Sequence, residues 1–224
     1  MKHKIFIAVD TSKIDKAKEI LKKTQSKKLH FGYKFGLEFI NSKNGRKFLA
    51  ELKKKTIFLD LKLNDIPNTC LSTIKAVKDL RPNYITVHIN SGFNALKSVK
   101  KVSGKIKIVG VTTLTSLDEK SLREIGYNIK LNSLILKQAK LASKAKLDAL
   151  VCSAREVKIV KKIFKKEIIT PGIRFNSNVN DQKRVMTPKK AFENGSDWIV
   201  IGRPITKGNI KKNISKLINH LEND

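Results

Sequence analysis

Cysteine is scarce in this sequence, and the patterns that direct a chain out of the cytoplasm are missing. Cys70 and Cys152 are the only cysteines, too few and too isolated for a disulfide framework or a cysteine metal motif. The apolar run at residues 5–9 is too short for a signal peptide. No stretch reaches the roughly 20 apolar residues of a membrane span. We therefore expect a cytoplasmic protein without a membrane partner.

Acidic residues are also few: 19 Asp and Glu stand against 48 Lys and Arg, giving a formal net charge of +29. Such a balance would suit a nucleic-acid-binding protein, which is the alternative from a different functional class. The lysines, however, are spread over the whole chain in pairs and short runs with little aromatic interleaving. That distribution favours solvated helix faces and no specific nucleic-acid partner. A positive field would also attract an anionic substrate.

No linker, low-complexity tract or charge block divides the chain, and 40% of its residues are hydrophobic. A globular chain of this length can bury one substantial core. We therefore expect residues 1–224 to form a single domain.

Short β-branched runs alternate eight times with longer stretches of helical periodicity, which is typical of βαβ units and a parallel sheet. The predicted strands lie at about 5–9, 29–35, 56–63, 84–88, 106–112, 149–151, 168–170 and 198–201. Four predicted helices lie at about 12–24, 117–144, 153–165 and 187–194. Two more end at about 54 and 221, and two begin near 67 and after 92. Eight units in one domain favour a single-domain α/β fold of the (β/α)8 TIM-barrel type. A doubly wound open sheet is the alternative.

Catalytic groups of such barrels stand at the carboxyl ends of the strands. The polar residues at those predicted positions are Asp10, Lys34, Asp60, Lys62, Asp65, His88, Thr115, Arg174 and Arg203. Strand three carries the sharpest signal, because alternation places Asp60 and Lys62 on one face. A carboxylate and an ammonium buried among leucines are costly unless paired. The pattern fits a catalytic pair, and a structural ion pair is the alternative.

A second signal points to phosphate binding after strands seven and eight, where barrels often hold this group. Gly172 and Arg174 follow strand seven, with Gln182 further along that loop, and Gly202 and Arg203 follow strand eight. A glycine lets the backbone approach an anion, and an arginine can hold two phosphate oxygens at once. For either of these two segments taken alone, the alternative is an ordinary glycine turn with a surface arginine.

These residues lie within motifs that resemble those of the orotidine 5′-phosphate decarboxylase family. The segment at 60–69 (DLKLNDIPNT) resembles the signature of that family. Further matching motifs occur in the same order at 8–10 (AVD), 33–36 (YKFG), 87–88 (VH), 111–116 (VTTLTS), 151–153 (VCS), 171–174 (PGIR), 180–182 (NDQ) and 201–206 (IGRPIT). Asn64 departs from the family pattern, in which histidine is frequent, and the loop between 174 and 182 is short.

The resemblance implies a lyase that decarboxylates orotidine 5′-monophosphate to UMP and CO2, without a metal or other cofactor, as a homodimer. It implies catalytic roles for Lys62, Asp60, Lys34 and Asp65, with Lys62 protonating C6 of the pyrimidine. It implies substrate binding by Asp10, Lys34, Asp60, Thr69, Thr115, Arg174, Gln182, Gly202 and Arg203. Asp65 and Thr69 are expected to reach the site from the partner subunit.

Other interpretations of these residues exist as well. Related magnesium-dependent sugar-phosphate enzymes, 3-keto-L-gulonate 6-phosphate decarboxylase and hexulose-6-phosphate synthase, share the Asp-x-Lys-x-x-Asp strand, although residues 66–69 and 114–116 favour the nucleotide enzyme. Cys152 and Ser153 could supply a nucleophile, but no base is evident beside them. His88 is more typical of a satisfied structural residue than of a ligand.

Overall fold

Eight parallel β-strands close into a barrel in which each strand pairs with its neighbours in chain order. The structure is a computed structural model, and it describes residues 2–52, 54–175 and 185–222. The strands are β1 (Lys4–Ala8), β2 (His30–Gly36), β3 (Thr56–Leu63), β4 (Tyr84–His88), β5 (Lys107–Val111), β6 (Ala149–Val151), β7 (Glu167–Thr170) and β8 (Trp198–Ile201). Strand β1 pairs with β8 through Phe6 and Val200, which closes the barrel and excludes an open sheet.

Helices follow the strands on the outside of the barrel. They are α1 (Ile14–Lys23), α2 (Leu37–Ile40), α3 (Gly45–Glu51), α4 (Pro67–Ala76), α5 (Gly92–Val102), α6 (Glu119–Glu124), α7 (Leu131–Lys144), α8 (Val157–Ile163), α9 (Pro188–Glu193), α10 (Arg203–Thr206) and α11 (Ile210–Glu222). The predicted (β/α)8 fold is therefore confirmed. Within the described ranges, no helix is long and apolar enough to cross a membrane.

Two of the predicted helical regions are each divided into two helices. The region before residue 54 breaks between α2 and α3, where a Cβ atom at Gly45 would collide with the carbonyl group of Phe39. The region at 117–144 breaks after α6, at Gly126, whose φ is +90°. There the Tyr127 amide donates to the Leu122 carbonyl oxygen at 2.8 Å, a glycine-dependent helix end. Helical periodicity continues across both breaks, so the pattern alone did not reveal them.

Apolar side chains form two separate layers, one outside the strands and one inside the barrel. The outer layer packs the strands against the helices and includes Ile7, Leu59 and Ile85. The inner layer fills the amino-terminal part of the barrel with Phe6, Ala8, Phe58, Tyr84, Val109, Ala149, Ile169, Trp198 and Val200. The inner layer thus closes the barrel at that end, so a cavity for a ligand can open only at the carboxyl ends of the strands.

Phe6 lies at the centre of the inner layer. Its ring stacks on Trp198 with centroids 4.0 Å apart and lies 5.0 Å from Phe58 and 5.3 Å from Tyr84. A Cβ atom at Gly32 would approach the Phe6 ring to 2.5 Å, so glycine on the neighbouring strand makes room for it. Sequence and packing therefore match at this point: an aromatic ring on β1 requires a residue without a side chain on β2.

We predict that Phe6→Ala lowers the free energy of unfolding by about 3–5 kcal/mol, because a fully buried ring leaves a cavity that its neighbours cannot fill. Phe31→Ala, at a partly buried ring on β2, is the matched control with a smaller expected loss. Chemical denaturation monitored by circular dichroism measures both. Equal losses for the two variants would contradict a central role for the inner layer.

Candidate active site

A cavity of about 550 Å³ opens at the carboxyl ends of the strands, within the size range of small-molecule sites. Its apolar floor is formed partly by the top of the inner layer, through Ala8, Phe58 and Val200. Eight of the predicted site residues line it: Asp10, Lys34, Asp60, Lys62, Thr115, Arg174, Gly202 and Arg203. Polar and charged groups therefore converge above a surface of low polarity, where electrostatic interactions are stronger than in water.

A row of alternating charges crosses β1, β2 and β3 at this mouth. The Lys34 ammonium lies 3.2 Å from Oδ1 of Asp10 and 3.5 Å from Oδ2 of Asp60. The Lys62 ammonium donates a hydrogen bond to the same Asp60 oxygen at 2.6 Å. Asp60 is 8% exposed, so its carboxylate lies between two ammonium groups away from solvent.

The charges in this row keep Asp60 and Lys34 ionised. Burial by itself raises the pKa of Asp60, but the charges of Lys34 and Lys62 outweigh burial and hold that pKa below its ordinary value. Burial likewise favours neutral Lys34, but the charges of Asp60 and Asp10 raise the pKa of Lys34 above its ordinary value. Asp60 and Lys34 therefore form a coupled pair that stays charged around neutral pH.

A bulge in β3 presents Asp60 and Lys62 to the cavity. Leu59 pairs with Ile85 of β4 but Leu63 pairs with Val87, so three residues of β3 face the single residue Thr86. Lys62 takes a left-handed conformation with φ of +47°, which costs a non-glycine residue about 1–2 kcal/mol. Simple strand alternation predicted the shared face of Asp60 and Lys62, but it gave no sign of the bulge.

Thr86 connects the two strands at this bulge. Its Oγ1 accepts a hydrogen bond from the Lys62 backbone amide at 2.8 Å and donates one to Oδ1 of Asp60 at 3.1 Å. On β4 its side chain lies on the same inward face as that of Tyr84, two residues earlier, and it is fully buried. The sequence prediction missed Thr86, because a threonine in the middle of a strand is ordinary in any β-sheet.

Cationic and glycine residues after β7 and β8 line another part of the cavity. Gly172 has φ of +77°, a conformation that favours glycine, and it precedes Arg174. A Cβ atom at Gly202 would lie 3.6 Å from Oδ2 of Asp10, so the turn after β8 approaches the row of charges closely. Lys207 lines the cavity as well and was missed, because a lysine in this lysine-rich chain has no distinguishing feature.

The segment after β5 brings Thr113 and Thr115 to the same cavity. Gln138 of α7 holds this segment, since its Oε1 accepts hydrogen bonds from the Thr113 amide at 3.0 Å and the Thr113 hydroxyl at 3.2 Å. Its amide group donates to Oδ1 of Asn90 at 2.9 Å. A buried glutamine within a helical pattern had no feature that marked it for this role.

The remaining residues singled out from the sequence have different environments. Asp65 and Thr69 are both exposed and do not line the cavity among the residues described. Gln182 lies outside the described residues. His88 ends β4 partly buried, and its pKa is lowered by burial and then by the charge of Lys62. Cys152 is buried and lines the cavity, whereas Cys70 is buried within α4.

The described residues contain no group of three or more His, Cys, Asp or Glu side chains that could hold a metal ion. Around Asp60 the space beside the carboxylate is taken by lysine ammonium groups. The arrangement can bind an anionic molecule of moderate size and place an ammonium proton beside it.

Comparison with known proteins points to one family. The model of the Orotidine 5′-phosphate decarboxylase / HUMPS family matches residues 3–216. The chain is 44% identical over 191 residues to the orotidine 5′-phosphate decarboxylase of Wolbachia pipientis subsp. Culex pipiens, covering 83% of this chain and 84% of the relative. It is 40% identical over 218 residues to that of Carboxydothermus hydrogenoformans, covering 92% and 90%.

Among solved structures, orotidine 5′-phosphate decarboxylase from Lactobacillus acidophilus superposes with a TM-score of 0.84 at 30% identity, covering 99% of this chain and 100% of that one. The family match spans all eight strands of the barrel and every described residue that lines the cavity. The chain therefore belongs to the orotidine 5′-phosphate decarboxylase / HUMPS family.

Proposed function

We propose that the protein is a carboxy-lyase that converts orotidine 5′-monophosphate to UMP and CO2, the last step of UMP synthesis, in the cytoplasm. The observation that carries the proposal is the row Asp10, Lys34, Asp60 and Lys62 in a cavity that Arg174 and Arg203 also line. The curated relatives named above carry this activity in their names. The substrate has a carboxylate and a phosphate, which suits a cavity with several cationic groups.

Lys62 is the proposed proton donor. When the bond between C6 and the carboxylate breaks, CO2 leaves and the electron pair stays on C6 in the plane of the ring. The ring π system cannot take up that pair, so a fixed ammonium beside C6 stabilises it electrostatically. The ammonium then transfers a proton to C6, which forms the C–H bond of UMP, and Lys62 regains a proton from water.

Asp60 is proposed to orient Lys62 and to lie against the departing carboxylate. Its hydrogen bond to the Lys62 ammonium, at 2.6 Å, limits the directions in which that group can point. Lys34 approaches the same Oδ2 atom of Asp60, and its charge helps to keep the carboxylate ionised. A preorganised charge arrangement of this kind needs no rearrangement of solvent during the reaction.

The rest of the substrate is proposed to bind along the mouth of the barrel. Asp10 and Lys34 hold the ribose hydroxyl groups, and Thr115 contacts the edge of the pyrimidine ring. Arg203, the Gly202 amide, Arg174 and Gln182 hold the phosphate. The phosphate lies away from the reacting carbon, but its binding energy can position the ring and order the surrounding segments.

A homodimer is proposed to complete the site, with Asp65 and Thr69 supplied by the partner subunit. Ile66, next to Asp65, is 66% exposed, so a large apolar side chain beside Asp65 is available for a contact between subunits. In a twofold dimer each subunit would provide the same segment to its partner, so two equivalent sites would form.

The reaction is proposed to need no metal ion. Lys34 already places a positive charge between Asp10 and Asp60, and Lys62 places another beside Asp60. The magnesium-dependent sugar-phosphate enzymes within the same family are the alternative. The high positive charge of the chain is proposed to attract the anionic substrate and not a specific nucleic acid.

We predict that the purified protein decarboxylates orotidine 5′-monophosphate at the same rate with and without excess EDTA. Loss of the ultraviolet absorbance of the substrate measures the rate. Parallel assays with 3-keto-L-gulonate 6-phosphate, with and without magnesium, provide the control. Activity on the sugar phosphate alone, restored by magnesium after EDTA, would replace the proposal with the alternative.

We predict that Lys62→Ala and Asp65→Ala each lower kcat by more than about 100-fold while the fold is retained. Mixing the two variants under conditions that exchange subunits should then restore about one quarter of the wild-type activity per site. This follows because a heterodimer contains one site with Lys62 and Asp65 both intact. Absence of recovery in verified heterodimers would exclude a contribution of Asp65 across the interface.

We predict that Arg203→Ala raises the activation free energy for kcat/KM with the nucleotide by about 2–4 kcal/mol, through loss of charge-assisted hydrogen bonds. This corresponds to a roughly 30- to 1000-fold lower kcat/KM. With orotidine, which lacks the phosphate, the same variant should match the wild type. Arg81→Ala, at an exposed arginine before β4, is the control variant. A similar loss with both substrates would place Arg203 away from the phosphate.

A further inference from the structure

The Thr86 hydroxyl group joins the backbone of Lys62 to the carboxylate of Asp60. The Lys62 amide can only donate, so Oγ1 of Thr86 accepts at 2.8 Å. The hydroxyl proton then points to Oδ1 of Asp60, 3.1 Å away. Both hydrogen-bonding directions of one fully buried side chain are therefore used by the two charged residues of β3.

The position of Thr86 opposite the bulge gives these hydrogen bonds a specific consequence. It is the only β4 residue between the pairs Leu59 with Ile85 and Leu63 with Val87. Residues 60–62 therefore lack regular ladder partners on β4, and the Lys62 amide bonds to a side chain instead of a carbonyl group. A buried amide without that acceptor would carry a desolvation penalty, which would favour a different path for the bulge.

The left-handed conformation of Lys62 also needs support from its surroundings. A non-glycine residue keeps such a conformation only when neighbouring contacts outweigh its cost. The Thr86 hydroxyl supplies one contact to the amide of Lys62 and one to the carboxylate that binds its ammonium. The same group thus constrains Lys62 at its backbone and, through Asp60, at the end of its side chain.

We propose that Thr86 is a positioning residue, whose hydroxyl holds the Lys62 ammonium and the Asp60 carboxylate in the arrangement that the reaction requires. This inference rests on the proposed function, because it assigns Thr86 a part in the same decarboxylation. Thr86 does not line the cavity among the described residues, so it acts through Asp60 and Lys62 and not on the substrate.

Three substitutions separate the hydroxyl group from the space that the side chain fills. Thr86→Val keeps the shape and removes the hydroxyl, whereas Thr86→Ser keeps the hydroxyl and removes a methyl group. Thr170→Val is the matched control, because Thr170 is fully buried on β7 and its hydroxyl bonds to that of Ser196 at 2.7 Å. Thr86→Ala removes the hydroxyl in a smaller side chain if the valine variant does not fold.

The expected result is a kcat for Thr86→Val about 10- to 100-fold below the wild type, the scale of a lost hydrogen bond to a charged group. KM should change less than about threefold, because the substrate contacts remain, and Thr86→Ser should stay within about threefold of the wild-type kcat. Thr170→Val should lose stability while it keeps the wild-type kcat. Steady-state kinetics and thermal unfolding of all variants provide the data.

The pH dependence gives a second readout that a purely structural role would not change. Asp60 is faced by Lys62 on its own strand, by Lys34 of β2 with Asp10 beyond it, and by Thr86 and His88 of β4. The Thr86 hydrogen bond favours ionised Asp60, so its loss raises the pKa of that carboxyl group. The acidic limb of the kcat profile should therefore move to higher pH in Thr86→Val and stay in place in Thr86→Ser.

Wild-type kcat and an unmoved acidic limb in folded Thr86→Val or Thr86→Ala would overturn the positioning role. Equal losses in the valine and serine variants would overturn it as well, since they would indicate side-chain packing. Both results presuppose an active wild type and leave the proposed function intact. A wild type that does not decarboxylate orotidine 5′-monophosphate would refute the proposed function, and this inference with it.

Discussion

A carboxylate buried between two ammonium groups is the interaction on which the site depends. Asp60 is 8% exposed, and burial alone would favour its neutral form. Lys34 and Lys62 both approach its Oδ2 atom, at 3.5 and 2.6 Å, and their charges keep it ionised. The pairing works in both directions, because Asp60 in turn fixes where the Lys62 ammonium can lie. Removal of either lysine would leave buried Asp60 with a single counter-ion, and a pairing at a buried site matters more than an exposed ion pair.

The barrel makes this arrangement possible by dividing its interior into an apolar half and a polar half. Phe6, Phe58, Tyr84 and Trp198 fill the amino-terminal half and support the floor of the cavity. The charged row lies at the carboxyl ends of the strands, where the mouth gives it access to solvent and ligand. At the opposite ends, Lys107 of β5 and Glu167 of β7 pair with each other at 2.9 Å. The bulge in β3 lies at the boundary between the two halves. It begins two residues after Phe58, which belongs to the inner layer. Stability and chemistry thus come from successive layers of the same strands.

Much of this organisation was predictable from local patterns. The eight strands were predicted with each end within one residue, because β-branched runs and helical periodicity are local properties. The residues around the cavity were predictable because parallel strands in a barrel bring their carboxyl ends together, so position in the chain implies position in space. Thr86, Gln138 and Lys207 were not predicted. Threonine within a strand, glutamine within a helix and lysine in a lysine-rich chain have no local feature that distinguishes them.

The sequence by itself determined the order of strands and helices, the apolar faces that close the barrel and the charged residues at the strand ends. These follow from side-chain periodicity and from the cost of burying unpaired charge. Only the tertiary structure decided that three residues of β3 face Thr86 and that Lys62 takes a left-handed conformation. It also decided that two predicted helices break, one before Gly45 and one at Gly126. Register and backbone path depend on contacts between segments distant in sequence, and local preferences cannot specify such contacts.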